Sequence, residues 1–147
     1  MRGPLETNLI EALGALTGGT APRRSVEELT RLFDAQVASR HCDLAARWLR
    51  SNGKGYYTIS SAGHESNAAV AMALHPTDPA LLHYRSGGFY LARAGLGGIR
   101  DILAGVVAST EEPIAGGRHK VFGRHDLAVI PQTSTICLLY TSPSPRD

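Results

Sequence analysis

The stretch LLHYRSGGF, residues 81–89, decides the fold. Leu81–Tyr84 reads as a short buried strand, Arg85–Gly88 follows at its end, and helix resumes from Phe89. An arginine that ends a strand beside glycines and a helix start can hold an anion. Its guanidinium can donate hydrogen bonds to two phosphate oxygens, and the helix N-terminus adds further donors. The alternative is a surface arginine before a turn, which local chemistry alone slightly favours.

The longest predicted helix precedes this strand and runs from Ser25 to Asn52. Ser25 and Glu28 have the spacing of a capping box, and Gly53 supplies a stop signal. Large apolar residues recur through this segment at helical spacing, which predicts an amphipathic helix. They are Val26, Leu29, Phe33, Val37, Leu44 and Trp48.

Shorter elements complete the pattern. Leu5–Leu16 predicts a short amphipathic helix, which Gly18–Pro22 ends. The remaining elements are an extended piece Tyr56–Ile59, a small-residue helix Gly63–Ala73, helices Phe89–Ala94 and Ile99–Val107, a loop Pro113–Asp126 and a strand Leu127–Ile130. Because only two or three short strands lie among these helices, we predict a largely helical α/β protein with most of its sheet missing.

Composition narrows the classes of function. The 147 residues are 43% hydrophobic and 19% charged, as in ordinary globular proteins. The net charge of +2 comes without a lysine or arginine cluster and by itself argues neither for nor against nucleic acid. We expect no nucleic-acid partner. No apolar run approaches membrane-spanning length and no signal peptide is visible, which predicts no membrane partner and a cytoplasmic location. Cys42 and Cys137 are too few for a disulfide framework.

Other motifs give weaker signals. Gly116–Lys120 is a second candidate anion loop, although a solvated loop is the better interpretation of it alone. Gly95–Gly98 lacks the third glycine of a dinucleotide fingerprint. The histidines and cysteines have neither zinc-ligand spacing nor the partners of a hydrolytic triad. The sequence therefore predicts no metal ligand and leaves the catalytic residues unassigned.

Taken in order, these short motifs resemble a known family. Gly55–Glu65, Ala73–Asp78, His83–Phe89, Gly116–Gly123 and Pro131–Ile136 are similar to the α half of thiamine-diphosphate-dependent 2-oxoacid dehydrogenases, the E1 components. The similarity covers roughly residues 29–136 and is nearest to branched-chain-type members, including those with α and β halves in one chain. The resemblance implies an incomplete thiamine-diphosphate-binding fold.

The resemblance also implies roles for particular residues. Tyr84 and Arg85 would contact the diphosphate, Ser134 would lie beside the cofactor, and the Ile136 carbonyl would accept from the aminopyrimidine. The segment Thr133–Thr135 would border a monovalent cation site. Relatives carry histidine where Phe122 stands, so His119 receives no catalytic role.

The parent enzyme that this resemblance implies is an oxidoreductase. It would decarboxylate a branched-chain 2-oxoacid and pass the acyl group to the lipoyl arm of an E2 acyltransferase, as an oligomer with a β half or β subunit. Its Mg²⁺ site, a Gly-Asp-Gly-like stretch followed by asparagine, would lie beyond Ile136. This chain alone is therefore expected to be inactive. Two alternatives stay open: a cofactor-free helical interaction module, and another thiamine-diphosphate enzyme such as a transketolase relative.

The last eleven residues, CLLYTSPSPRD, match a reading-frame translation of a transposase-type sequencing adapter. We therefore expect residues 137–147 to be an artefact tail. The predicted organisation is an N-terminal extension over residues 1–24, a partial E1 α domain over 25–136, and this tail.

Overall fold

A computed structural model describes residues 24–132, together with Glu11 and Ala15, which are helical. Within residues 24–132 the elements, in order, are α1 (Val26–Ser51), α2 (Asn67–Ala73), β1 (Ala80–Leu82), α3 (Gly87–Ala94), α4 (Gly98–Val106), a 3₁₀ turn (His125–Leu127) and β2 (Val129–Pro131). The predicted α/β class, largely helical with short strands, is confirmed for this part of the chain. The thiamine-diphosphate-binding fold stays a prediction.

Helix α1 begins and ends where the sequence signals predict. The Ser25 hydroxyl accepts from the Glu28 amide at 3.1 Å, and the Glu28 carboxylate accepts from the Ser25 amide at 3.0 Å. This reciprocal pair satisfies two donors at the helix start that would otherwise lack partners. At the other end Asn52 caps the helix and Gly53 has a φ of +69°, a conformation that favours glycine.

The face of α1 that packs on the rest of the protein is made of small residues. Its buried members are Ala35, Ala38, Ser39, Cys42, Asp43 and Ala46. The six large apolar residues of the predicted amphipathic pattern point the other way and are exposed. The reason is steric, since small side chains let α3 and α4 approach the α1 backbone closely. None of the helices in residues 24–132 combines the length and apolar content needed to cross a membrane.

Helix α3 lies at the centre of the core. Phe89, Tyr90 and Leu91 are buried, and Ala68 of α2 packs against them without any exposed surface. Phe122 stacks on Tyr90 with ring centroids 5.3 Å apart. Phe122 is therefore a core residue.

The two strands are parallel and join distant parts of the chain. Ala80 pairs with Val129 and Leu82 with Pro131. Arg93 of α3 fixes the turns that lead into both strands, because its guanidinium donates to the carbonyls of His75, Asp78 and Leu127 at 3.3, 2.8 and 3.0 Å. One arginine thus satisfies three carbonyls that lie outside the strand ladder.

Several predicted boundaries differ from the structure. His83 and Tyr84 lie beyond β1 in a turn, and Leu127 belongs to the 3₁₀ turn. Tyr56–Ile59 forms no strand, since the Tyr56 amide donates to the Val106 carbonyl at the end of α4. Helix α2 begins at Asn67 rather than Gly63, whose φ of +86° is incompatible with a right-handed helix.

Enlarging the small-residue face of α1 should destabilise the protein, whereas trimming its large apolar face should not. We expect Ala35→Leu to lower the free energy of unfolding by about 1–3 kcal/mol through overpacking. Trp48→Ala, at a side chain that is 62% exposed, should change it by less than about 0.5 kcal/mol. Urea unfolding followed by circular dichroism measures both, and equal losses would contradict the assignment of the buried face.

Candidate functional site

The turn between β1 and α3 presents Tyr84 and Arg85 at the end of the strand. The Ser86 amide donates to the His83 carbonyl at 2.8 Å, which closes the turn. The Tyr90 amide then donates to the Ser86 carbonyl at 3.0 Å and begins the α3 ladder. Tyr84 and Arg85, both predicted to contact a diphosphate, are half-buried and adjacent to the helix start.

The Arg85 guanidinium is anchored by a hydrogen bond to the loop that follows α1. Its Nη1 donates to the Ser60 carbonyl at 3.1 Å. Its terminal carbon lies 5.2 Å from the centre of the Tyr84 ring, within the range of a cation–π contact. Because arginine carries five N–H donors, this anchoring orients the group and leaves other donors for a ligand.

The loop that holds Arg85 is in turn held by Asp43 of α1. The Asp43 carboxylate accepts from the Ser61 amide at 2.9 and 3.1 Å and from the Ser60 hydroxyl at 2.8 Å. Asp43 is only 7% exposed, so its charge needs partners. Arg40 lies 3.8 Å away, and the Lys120 ammonium also attracts the carboxylate.

The same loop contacts the first turn of α3. The Gly87 amide donates to the Ser61 hydroxyl at 3.3 Å. A Cβ at Gly87 would lie 2.7 Å from the Ser61 Oγ and 2.8 Å from the Ser39 Oγ, so any larger residue would force these hydroxyls to move. Glycine at this position therefore lets the helix start approach the loop that orients Arg85. The predicted combination of arginine, glycine and helix start is thus assembled in one place.

His83 lies beside this cluster and is affected by its charge. Burial lowers the pKa of His83, and the positive charge of Arg85 and the neighbouring His64 lower it further. The Nδ1 atom of His83 accepts from the Arg85 amide at 3.3 Å, which requires that nitrogen to be unprotonated. The neutral imidazole therefore helps to hold the turn that carries Arg85.

In the second candidate anion loop, Gly116–Lys120, the basic side chains lie in different environments. Arg118 is exposed, whereas Lys120 is buried, with its amine 4.6 Å from the centre of the Phe122 ring. Burial lowers the pKa of Lys120, although Asp43 and Cys42 oppose that shift. Burial also raises the pKa of the Cys42 thiol to about 11. Residues 116–120 therefore do not direct their basic side chains to one ligand.

The remaining predicted site residues come after the last described residue, Gln132. Ser134, Ile136 and the whole Thr133–Thr135 group lie outside the described residues, as does the tail from Cys137. In residues 24–132, His, Cys, Asp and Glu side chains form no cluster of three that would hold a metal ion. Two cavities of about 280 and 370 Å³ lie beside α1 and α3, the smaller one also bordered by α2, and both are lined by Arg31 and Arg93 rather than Arg85.

Comparison of this chain with protein-family models, curated proteins and solved structures gives no match.

Sequence reasoning missed the residues that support Arg85. Asp43, Ser60 and Ser61 belong to no motif that predicts a binding site. One signal was present: Asp43 lies four residues after Ser39 and three before Ala46, which places it on the small-residue face of α1. A charged residue within a small-residue stripe indicates a buried carboxylate with a dedicated partner.

Removing the Asp43 charge should weaken the support of this loop. We expect Asp43→Asn to lower the free energy of unfolding by about 1.5–3 kcal/mol, because charge-assisted hydrogen bonds to the buried carboxylate are lost. Asp34→Asn, at an exposed position of the same helix, is the matched control and should change stability by less than about 0.5 kcal/mol. Urea unfolding of both variants provides the measurement; equal stabilities would show that Asp43 does not anchor the loop.

The pKa of His83 should lie below its ordinary value of 6.5. Because this pKa is lowered by folding, the unfolded chain binds the His83 proton more tightly than the folded chain does. The contribution of His83 to the free energy of unfolding is therefore lost as pH falls through the folded-state pKa. Arg85→Met should raise the pKa of His83, since it removes a nearby positive charge. NMR titration of the His83 ring protons measures both values, and an unchanged pKa in the variant would contradict the proximity of Arg85.

Proposed function

We propose that residues 25–136 are part of a thiamine-diphosphate-dependent 2-oxoacid dehydrogenase E1 component, and that they supply some of the groups that bind the diphosphate. The observation that carries this proposal is the orientation of Arg85. Its guanidinium is anchored on the Ser60 carbonyl at 3.1 Å, at the end of a parallel strand and beside the α3 start. The carboxyl end of a parallel strand is where α/β proteins commonly bind phosphate-bearing ligands.

The donors at this place suit a diphosphate. Arg85 offers the remaining N–H groups of a fork that matches phosphate oxygens, and Tyr84 adds a hydroxyl. The first turn of α3 contributes the positive end of a helix dipole. Thiamine diphosphate, when bound, supplies the ring that accepts electrons during decarboxylation. The residues described here would bind and orient its diphosphate.

The fit does not extend to Mg²⁺. No cluster of metal ligands occurs within residues 24–132. The resemblance assigns the Mg²⁺ ligands to sequence beyond Ile136. It assigns the carboxylate that contacts the cofactor's aminopyrimidine to the β half. We therefore expect the chain alone to lack decarboxylase activity, and we assign the remaining properties to the parent enzyme. Those are the branched-chain 2-oxoacid substrate, the β half, the lipoyl-bearing E2 partner, oligomeric assembly and a cytoplasmic location.

A transketolase relative would share the cofactor and the same diphosphate grip. It would differ in using no lipoyl acceptor. The order of motifs from Gly63 to Ile136 favours the 2-oxoacid dehydrogenase, and the sequence encoded beyond Ile136 separates the two.

A second candidate function is a helical interaction module. The observation that favours it is the exposed apolar face of α1, which includes Phe33 at 63% and Trp48 at 62% exposure. Exposed apolar patches of this kind commonly mark surfaces that bind another segment. In that role Arg85 would be a surface charge with no ligand.

The diphosphate proposal predicts that the chain binds inorganic pyrophosphate through Arg85. Arg85→Lys should weaken binding about tenfold or more, because an ammonium cannot form the two parallel hydrogen bonds of a guanidinium. Arg100→Lys is the matched control, since Arg100 is exposed and pairs with Glu111 on the surface; it should change the affinity less than about twofold. Chemical shifts of the Gly87 and Gly88 amides during an NMR titration give the affinities.

Two results would overturn the proposal. One is pyrophosphate binding that Arg85→Lys leaves unchanged, which would favour the interaction module. The other comes from sequencing the source DNA beyond the Ile136 codon. We expect an in-frame Gly-Asp-Gly-like motif followed downstream by asparagine, and its absence would exclude the enzyme.

A further inference from the structure

The N-terminal half of α1 exposes a stripe of large apolar side chains to solvent. Val26 is 81% exposed, Leu29 51%, Phe33 63% and Val37 36%. These residues follow one another at intervals of three, four and four. Such spacing keeps them on a single face of a helix. Helices α2, α3 and α4 contact the small-residue side of α1. Of the four stripe residues, Leu29 also borders α2, where it lines a small cavity with Ala69 and Met72.

The sequence before α1 carries the mirror image of that spacing. Leu5, Leu9, Leu13 and Leu16 follow at intervals of four, four and three. When two helices run antiparallel, the order of residues on one is reversed relative to the other. Leu5 then lies opposite Val37, Leu9 opposite Phe33, Leu13 opposite Leu29 and Leu16 opposite Val26.

The lengths and the intervening residues suit such a pairing. Each stripe spans about 17 Å at a rise of about 1.5 Å per residue. The connection over residues 17–25 contains Gly18, Gly19 and Pro22, which interrupt a helix and allow reversal. Its length is close to the upper end of helix–helix connections, about eight residues. Glu11 and Ala15 are helical and exposed, and neither belongs to the leucine stripe.

We propose that residues 5–16 dock antiparallel on the N-terminal half of α1, with Leu5, Leu9, Leu13 and Leu16 covering its exposed apolar stripe. Attachment through residues 17–25 gives this segment a high effective concentration at the face, which favours it over a second copy of the chain. Leu44 and Trp48 lie beyond the reach of the segment and stay open. The interaction is independent of any cofactor.

Disulfide trapping in the full chain tests the register. The background carries Cys137→Ser and keeps Cys42, which is 5% exposed. Leu9→Cys with Phe33→Cys should form an intramolecular disulfide under mild oxidation, seen as a monomer on non-reducing gels and confirmed by mass spectrometry. Leu9→Cys with Trp48→Cys is the matched control. Its second cysteine lies on the same stripe but about 22 Å further along α1, so its disulfide should form at least tenfold more slowly.

Equal rates for the two pairs would overturn the proposal, as would covalent dimers through Phe33→Cys as the main product, since these indicate a second copy on the face. Hydrogen exchange of the unmodified chain provides a test without substitutions. Amides of residues 9–16 should exchange at least tenfold more slowly than in a peptide of residues 1–20. Exchange at the peptide's rate would also overturn the docking.

Discussion

The buried carboxylate of Asp43 is the interaction on which the candidate site depends. It binds the Ser61 amide and the Ser60 hydroxyl, and so fixes the loop after α1 against that helix. From that loop one carbonyl orients Arg85 and one hydroxyl accepts from Gly87. A single carboxylate on a rigid helix thus positions both a cation and a helix start, without contacting a ligand itself.

The two faces of α1 have different roles in the structure. Its small residues allow the Asp43 carboxylate to reach the loop and let α3 pack closely, whereas larger side chains would hold the helices apart. The large apolar residues are free of that constraint because they lie on the opposite face. The helix therefore supports the loop that holds Arg85 on one side and exposes large apolar side chains on the other.

Local signals were enough to predict much of the fold. Ser25 and Glu28 marked the start of α1 correctly, and the arginine and glycines after β1 were brought together as expected. The burial of α1 was not predictable from apolar size, because the core selects the small residues that permit close approach. Asp43 was missed because its partners lie seventeen and eighteen residues away in the loop, a contact that no local pattern encodes. The cofactor-proximal residues Ser134 and Ile136 stay predictions.

In the proposed site, Asp43 acts on diphosphate binding through Arg85. A double-mutant cycle on pyrophosphate affinity, with Asp43→Asn, Arg85→Lys and the double variant, measures that dependence directly. We expect Asp43→Asn to weaken binding when Arg85 is present and to have little further effect once Arg85→Lys has been introduced. Losses that simply add, or an Asp43→Asn variant that binds as tightly as the unmodified chain, would contradict it.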